Sequence, residues 1–488
     1  MGLSTAENYL SRLRDSREIW LGGEHVVDVT QHPLLRPSAL QIAALYDMQH
    51  TEECNRALAC TEGGEPVARA FVRPRSVDDL VARRQAYEIW AAVTLGMLGR
   101  TPDYMNTCMM ALASARQFFA QHGNMVYADN LVRYYEHVKR LDLYMTHTFA
   151  SLQVDRSKGI SELSVDDPPF ALGVVDTCTD GVIVRGARAL ATSAPVCDEI
   201  VSFGAGRELS EGDEDYALAF ALSVATPGLK FLCRESFTRT GDPKDHPLAA
   251  RFDEMDAVAF FDNVLIPWER IFIFRDVELS NHFKAASHFH QHVGQQVVTR
   301  AVVKSEFLLA LTHVISKMIG IDKFLHIEER IGEIIMHVET LRACLRASEA
   351  DAAETECSGI YAPAYGPIHA ALRQFPRVYP RLVELLHLTG GSGFVATPTA
   401  ADMNSPIGGL IEHVFQGAEK GGGYRIRLFR LAWDVVGDAF GSRQELFERF
   451  FLGDPTRALA QLYRQYDTGR LEALIERVMQ EGGEEKET

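Results

Sequence analysis

The chain has 488 residues, of which 47% are hydrophobic and 24% charged, a balance typical of a globular protein with a substantial core. Lys and Arg number 49 against 66 Asp and Glu, and the net charge of −17 disfavours nucleic acid and anionic membranes as main partners. No stretch approaches about twenty apolar residues and no signal peptide is visible, so we expect a cytoplasmic protein.

The first 150 residues carry the signals of helices. Ser4 followed by Glu7 has the spacing of a capping box, and Ser76 followed by Asp79 indicates a second helix start. Apolar residues then recur at helical spacing in the runs 80–93 and 127–144. We therefore predict a helical domain over residues 1–150.

Residues 151–277 change to short apolar or alternating runs separated by Gly, Pro and Asp. The clearest of these runs are 181–186, 216–224, 230–233 and 257–264. Because no helical pattern lies between them, they favour a small barrel or sandwich over a doubly wound sheet. We predict a small β-barrel domain over this region.

Residues 278–488 return to helical periodicity. One apolar stripe steps by three or four residues through Ile327, Ile331, Ile334, Val338, Leu341 and Leu345. Together with the similar segment 297–315, it predicts a helix bundle. The order of helices, small β domain and helix bundle makes this an α+β protein and matches the acyl-CoA dehydrogenase architecture. In that fold a flavin lies between the β domain and the bundle, and a neighbouring subunit often completes the site.

Several enzyme motifs are missing from the sequence. Gly204-Ala-Gly206 is the nearest approach to a dinucleotide fingerprint, but it lacks the third small residue and leads into charged residues. There is no Walker loop, no G-x-S-x-G elbow and no HExxH. None of the eight cysteines forms a CxxC pair, so we expect free thiols and no metal site. Electrons for any redox chemistry would therefore arrive from another protein.

Two polar clusters offer candidate chemistry, one at Gly99–Tyr104 and one at Thr146–Thr148. Pro102 breaks the preceding helix, which places Arg100 and Tyr104 at or beside a helix end. Arg, Tyr and His suit the activation of a phenol, whose pKa near 10 must be offset by roughly three units at pH 7. Taken singly, Arg100 also fits a surface ion pair, Tyr104 a half-buried aromatic and His147 a satisfied interior histidine.

Ordered matches to one known family run over nearly the whole chain. They include Gly96-Met-Leu-Gly-Arg-Thr-Pro-Asp-Tyr104, Val264-Leu-Ile-Pro-Trp-Glu-Arg270 and the segments 17–33, 45–50, 146–147, 185–192, 245–248, 415–417, 431–434, 441–449 and 453–455. On these residues the chain resembles the large oxygenase component of 4-hydroxyphenylacetate 3-monooxygenase. That family also includes the pyoverdin-chromophore hydroxylases and, more distantly, 4-hydroxybutyryl-CoA dehydratase.

The resemblance implies roles for particular positions. Arg100, Tyr104 and His147 would surround the phenolic hydroxyl, with His147 also against the flavin. Further flavin contacts would come from Gln153, Arg156, Thr192, Leu452, Gly453, Asp454 and Pro455, and across a subunit interface from Gln416 and Gly417. Where the family supplies hydroxyl donors to the substrate carboxylate, this chain has Ala205 and Gly206. The residues expected around the phenolic hydroxyl are therefore the same as in the family, whereas those expected to bind the substrate tail differ.

The dehydratase branch carries an iron–sulfur cluster on three Cys and one His, and thiolates are needed for such ligation. At or near those positions this chain has Gly99, Asp103, His292 and Thr299. One His without thiolates cannot hold that cluster, so we exclude this activity. We interpret His292 and the neighbouring His288 and His290 as a polar loop.

The sequence thus predicts the oxygenase component of a two-component monooxygenase, with FAD as FADH2 from a separate NAD(P)H:flavin reductase. With O2 it would convert 4-hydroxyphenylacetate or a related para-substituted phenol to a catechol, as a homotetramer. Alternatives are a dehalogenating halophenol monooxygenase and a hydroxylase of a tyrosine-derived intermediate of secondary metabolism. A flavin-binding protein without oxygenase activity and a purely structural helical scaffold are the other classes.

Overall fold

The computed structural model describes residues 2–481, apart from 153, 156, 164–169, 205, 240 and 357. Its first 150 residues are largely helical, as predicted. The helices are α1 (Ala6–Arg12), α2 (Arg36–Met48), α3 (Glu52–Leu58), α4 (Val77–Val93), α5 (Pro102–Ser114), α6 (Arg116–Phe119) and α7 (Met125–Leu141). Strands β1 (Glu18–Leu21), β2 (Glu24–Val26), β3 (Ala59–Glu62), β4 (Glu65–Ala68) and β5 (Met145–Thr148) also lie in this region.

The two predicted helix starts have different outcomes. Ser76 caps α4, because its hydroxyl accepts a hydrogen bond from the backbone N–H of Asp79. The prediction of Ser4 as the cap of α1 is wrong, since Thr5 accepts from the N–H of Asn8 instead. The Ser4 hydroxyl is directed to the end of α7, where backbone carbonyls accept its hydrogen bonds. A long-range contact has thus replaced the local one.

The middle of the chain forms two open sheets rather than the closed barrel that the sequence suggested. Its strands are β6 (Gly173–Thr177), β7 (Gly181–Thr192), β8 (Glu199–Phe203), β9 (Leu218–Ser223), β10 (Leu229–Cys233), β11 (Asp256–Pro267) and β12 (Ile271–Phe274), with short helices α8 (Ile160–Leu163) and α9 (Ala249–Phe252). The larger sheet has the order β2-β1-β10-β11-β7-β6, and the smaller has β12-β9-β8-β5.

Strands from the first region join both sheets, which the sequence analysis did not predict. β1 runs parallel to β10, with Ile19 opposite Phe231, and β2 folds back on β1. β5 runs parallel to β8, with His147 opposite Val201. The pairing of β5 with β8 places a candidate site residue on the smaller sheet, directly after the last N-terminal helix.

The rest of the chain is a helix bundle, so the predicted acyl-CoA dehydrogenase-like order is confirmed. Its helices are α10 (Val277–Ala286), α11 (Phe289–Met318), α12 (Leu325–Ala350), α13 (Tyr365–Gly390), α14 (Ala400–Met403), α15 (Gly408–Val414), α16 (Gly422–Val436), α17 (Ala439–Phe450), α18 (Pro455–Arg464) and α19 (Gly469–Glu481), with strands β13 (Ala353–Glu354) and β14 (Tyr361–Ala362). Helices α11, α12 and α13 pack on one another, and α4 and α5 pack on α11.

Helix α12 shows why the bundle forms. Its predicted stripe is buried from Ile327 to Leu345, with only Ile331 partly exposed. The predicted polar loop at 288–292 is wrong, because α11 begins at Phe289 and includes His290 and His292.

None of the helices in the described residues is long and apolar enough to cross a membrane. The cysteines in these residues are free thiols: Cys54, Cys60, Cys108, Cys178, Cys197, Cys233 and Cys344.

Candidate active site

Arg100 lies in the connection between α4 and α5, and aromatic rings enclose its guanidinium. Its Cζ is 4.2 Å from the ring centroid of Tyr104, and 5.5 Å and 5.6 Å from those of Phe447 and Phe451. Gly99 permits this approach, because a Cβ there would stand 2.2 Å from Cζ of Phe447. Within the described residues, the guanidinium donates only to the carbonyl of Gly99, at 3.3 Å, and forms no ion pair. Its positive charge therefore has no acidic partner among the described residues.

The backbone of Arg100 is held from two sides. Its N–H donates to Oε1 of Glu254 at 2.5 Å, and its carbonyl accepts from the hydroxyl of Tyr144 at 2.5 Å. The other oxygen of Glu254 accepts from Arg443 at 3.0 Å, and Arg443 also binds Asp256 at 2.9 Å. A buried ion network from α17 and β11 thus fixes where the guanidinium points.

Tyr104 lies in the first turn of α5, which begins with Pro102. Its ring centroid is 5.6 Å from that of His147. Burial raises the pKa of Tyr104 against the opposing charge of Arg100, so its hydroxyl stays protonated. A protonated phenol side chain beside a guanidinium can donate a hydrogen bond to an anionic oxygen.

His147 lies on β5 and is 7% exposed. Its ring stacks on Phe149 with the centroids 4.1 Å apart, and neither ring nitrogen has a hydrogen-bond partner within the described residues. Burial, followed by the positive charges of Arg100 and Lys284, lowers the pKa of His147 well below its usual value. The imidazole is therefore neutral at pH 7 and can accept a proton.

Thr192, a predicted flavin contact, is the last residue of β7 and lies beside Thr146, the residue before His147. Its carbonyl accepts from the hydroxyl of Thr146 at 2.5 Å, and its own hydroxyl donates to Asp256 at 2.7 Å. Burial alone would raise the pKa of Asp256, but Arg443 and Arg234 lower it below its usual range. The Thr192 oxygen is thus oriented by an ionised carboxylate and keeps a free lone pair.

The predicted substrate-tail positions follow β8. Gly206 has φ +74°, and a Cβ there would stand 2.4 Å from the carbonyl oxygen of Phe149. Only glycine fits this turn, so no side chain reaches the site from position 206. Ala205 and the predicted flavin contacts Gln153 and Arg156 lie outside the described residues.

The predicted C-terminal flavin contacts form the turn between α17 and α18. Gly453 has φ +91°, and Asp454 caps α18 by accepting from the N–H groups of Thr456 and Arg457 at 2.7 Å and 3.1 Å. Leu452, which begins the turn, directly follows Phe451, one of the rings around Arg100. This turn therefore begins next to the aromatic cage of Arg100.

Gln416 and Gly417 are not brought to the other site residues within one chain. Gly417 packs against Met318 at the C-terminal end of α11. Met318 is roughly 27 Å along α11 from Arg300. The guanidinium of Arg300 lies beside the ring of Phe447, which also contacts Arg100. Gln416 is exposed nearby. Their contact with flavin across a subunit interface stays a prediction.

The positions corresponding to the iron–sulfur ligands are taken up by internal hydrogen bonds. Asp103 accepts from the hydroxyl of Thr101 at 2.6 Å, and Thr299 donates to the carbonyl of Gln295 at 2.7 Å. Nδ1 of His292 is 3.4 Å from the guanidinium of Arg83. Their side chains serve the packing of α4, α5 and α11.

A separate group, His246, Asp434 and Asp438, has ligand atoms close enough together for a metal ion. Nδ1 of His246 lies 3.2 Å from Oδ1 of Asp434 and 2.7 Å from Oδ2 of Asp438. These contacts within the chain already occupy that nitrogen.

Sequence reasoning missed the residues that support the site. Glu254 and Asp256 stand two apart at the start of β11, a spacing that places them on one side of the chain but does not indicate what they bind. Tyr144 was seen only as part of a helical run, although it follows the end of α7. Lys284 carries no local signal, because a lysine near the end of a short helix ordinarily points into solvent.

Comparisons with known proteins show the family of this chain. The description 4-hydroxyphenylacetate 3-hydroxylase N terminal matches residues 5–273, and the C-terminal description of the same family matches residues 280–480. The 4-hydroxyphenylacetate 3-monooxygenase oxygenase component of Thermus thermophilus is 40% identical, over 95% of this chain and 94% of that protein.

Two further proteins are similar over nearly the whole chain. A crystal structure of the oxygenase component of 4-hydroxyphenylacetate 3-monooxygenase complexed with FAD and 4-hydroxyphenylacetate superposes with a TM-score of 0.93, at 39% identity, over 98% of this chain and 99% of that one. The pyoverdin chromophore biosynthetic protein PvcC of Pseudomonas aeruginosa is 32% identical, over 98% of this chain and 95% of that protein.

Proposed function

This chain belongs to the 4-hydroxyphenylacetate 3-hydroxylase family, and from that premise we propose that it is the oxygenase component of a flavin-dependent phenol monooxygenase. Its substrate is 4-hydroxyphenylacetate or a related para-substituted phenol, and its product is the corresponding catechol. This proposal rests on the convergence of Arg100, Tyr104 and His147, which come from two separate parts of the chain. None of their polar groups is paired with an acidic side chain among the described residues.

These three side chains are suited to ionise and hold a phenol. A free phenol has a pKa of about 10, and an adjacent guanidinium favours its anion. Arg100 supplies that charge, and Tyr104 donates a hydrogen bond to the phenolic oxygen. His147 accepts the phenolic proton on one of its unpartnered nitrogens. The phenolate is the more electron-rich ring, so its ortho carbon is the better nucleophile towards activated oxygen.

The residues present also fit FAD, which solved relatives hold. His147 offers buried nitrogens without partners, and Thr192 an oriented oxygen. The turn Leu452–Pro455 starts beside the aromatic rings around Arg100 and contains Gly453, whose φ of +91° favours glycine. When bound as FADH2, the cofactor supplies the activated oxygen from O2. Gln153 and Arg156, and Gln416 and Gly417 from a neighbouring subunit, complete the proposed set.

The assembly and its supply of electrons are part of the same proposal. The chain has no dinucleotide fingerprint, so a separate NAD(P)H:flavin reductase would deliver FADH2. The distance of Gln416 and Gly417 from the other site residues favours an oligomer, for which we propose a homotetramer. Free thiols at the described cysteines suit a reducing cytoplasm.

The test supplies FADH2 from any flavin reductase and offers a panel of para-substituted phenols, with products identified by mass. We expect catechols carrying one added oxygen, with label from ¹⁸O2. Halide release from phenols chlorinated next to the hydroxyl, without catechol from the other phenols, would instead support the dehalogenating alternative. Tight binding of FADH2 with no product from any phenol would refute the proposal.

A further inference from the structure

Helix α10 lies against the turn where the tail of a para-substituted phenol would end. A Cβ on Gly204 would stand 3.5 Å from the hydroxyl oxygen of Ser280 and 3.8 Å from the ring of Phe283, both on α10. The ring of Phe283 also stacks on that of Phe203, with the centroids 5.2 Å apart. The end of β8 and the turn after it are therefore in contact with this helix.

Lys284 follows Phe283 on α10, and its side chain lies beside two aromatic rings. Its ammonium nitrogen is 4.8 Å from the ring centroid of Phe149 and 5.6 Å from that of Phe283. Because the ring of His147 also stacks on Phe149, with the centroids 4.1 Å apart, Lys284 and the proposed proton acceptor both contact the same aromatic ring. A single small substrate can thus be near both groups.

The charge of Lys284 is not paired within the protein. Like Arg100, it forms no ion pair with an acidic side chain in the part of the chain that the structure describes, whereas lysines such as Lys139 and Lys304 do. The side chain of Lys284 is partly exposed, and the desolvation of its ammonium group by the packed rings lowers the pKa of Lys284. An anion bound beside it would provide a counter-charge.

We propose that Lys284 binds an anionic group on the para substituent of the phenol, which makes it a specificity-determining residue for the substrate tail. This inference rests on the proposed function. Gly206 offers no side chain, which leaves the binding of the tail to an element outside the turn. Arg100 and Lys284 then divide the recognition, one at the phenolic oxygen and one at the tail, with Phe149 between Lys284 and His147.

The experiment compares 4-hydroxyphenylacetate with the neutral 4-ethylphenol, which is similar in size. In Lys284→Met, the ratio of kcat/KM for the acid to that for 4-ethylphenol should fall about 10- to 100-fold, mostly through a higher KM for the acid. Lys284→Arg should recover part of that ratio. Lys323→Met removes an exposed lysine at the turn before α12 and serves as the matched control, with no change of the ratio.

Equilibrium binding separates the failure of this inference from failure of the proposed function. Calorimetry of the full protein with each phenol should show weaker binding of the acid to Lys284→Met, even if the wild type hydroxylates neither compound. An unchanged ratio and unchanged affinity for the acid would overturn the assignment. So would an equal loss for both phenols together with weaker binding of FAD, because Lys284 would then serve the cofactor.

Discussion

The positively charged groups behind the site have a carboxylate partner, whereas those that face the site have none among the described residues. Behind the site, Arg300 and Lys304 share the buried carboxylate of Glu448, at 2.5 Å and 2.7 Å. Facing the site, the cationic groups of Arg100 and Lys284 meet aromatic rings and no described carboxylate. The difference between the two sets lies in the partners that the chain supplies.

The contrast separates charges that hold the fold from charges that await a ligand. A buried charge is expensive unless it is paired and hydrogen-bonded. Glu448, with its pKa lowered to about 2 by Arg300 and Lys304 against the effect of burial, shows how far pairing goes behind the site. On the facing side, we propose that the missing partner is an anionic group of the substrate. Substitutions on the two sides should therefore fail in different assays.

The largest effect is expected from His147→Ala. General acid–base groups contribute about 100- to 10,000-fold, so coupled hydroxylation should fall by a factor in that range. Oxygen consumption should continue, with hydrogen peroxide released in place of catechol. Product yield per FADH2 consumed measures this, with His326→Ala, an exposed histidine, as the control. Normal coupling in the His147 variant would refute its assigned role.

Glu448→Gln tests the other side of the comparison. It leaves Arg300 and Lys304 without a counter-charge, and breaking a buried pair in this way costs about 3–5 kcal/mol. Chemical denaturation followed by tryptophan fluorescence should show that loss in the free energy of unfolding.

Arg100→Met is the matched control for this prediction, because it removes a cation that no described acid depends on. Its free energy of unfolding should change by about 1 kcal/mol or less, while hydroxylation is lost. Equal destabilisation by the two substitutions would erase the distinction between paired and unpaired charges.

A smaller effect is expected from substitution of Tyr144, which contacts the backbone of Arg100. Tyr144→Phe deletes the hydroxyl that binds the carbonyl of Arg100 and changes nothing else in shape. A slightly misplaced guanidinium should lower kcat/KM for the phenol about 10-fold, with FAD binding unchanged. Tyr46→Phe is the control, since the Tyr46 hydroxyl is buried without a hydrogen bond. Equal kinetics for the two variants would show that the Tyr144 hydroxyl does not position Arg100.

The sequence predicted those parts of the fold that depend on local pattern. The stripe of α12 and the strands β7, β9, β10 and β11 follow from periodicity, which neighbouring residues determine. It missed the place of β1 in the larger sheet, because that place depends on the pairing of residues 18–21 with β10, more than 200 positions away. The cap of α1 was misplaced by one residue for the same reason, since Ser4 is drawn to the end of α7.

The site residues divide in the same way, into those that were predicted and those that depend on tertiary packing. Arg100, Tyr104 and His147 were identified by resemblance, and the structure places them together, although their roles stay predictions. Glu254 and Lys284 were missed, because a carboxylate behind Arg100 and an unpaired ammonium behind Phe149 are products of tertiary packing. No spacing along the chain encodes either contact.

The smallest expected effect is in the pH dependence. Burial and the charges of Arg100 and Lys284 lower the pKa of His147 below 6.5, so the acid limb of kcat/KM should lie below pH 6.5. The same shift should reduce stability as the pH falls below 6.5, because the unfolded chain then binds a proton that the folded chain does not.

Lys284→Met sharpens this test, because removing a positive charge favours the imidazolium form and should raise the pKa of His147. The acid limb should therefore move upward in Lys284→Met and stay in place in Lys323→Met. The profiles are measured with 4-ethylphenol, whose tail carries no charge to titrate or to lose a partner. An acid limb above pH 7 in the wild type, or a downward move in Lys284→Met, would mean that the facing cations do not act on the proton acceptor.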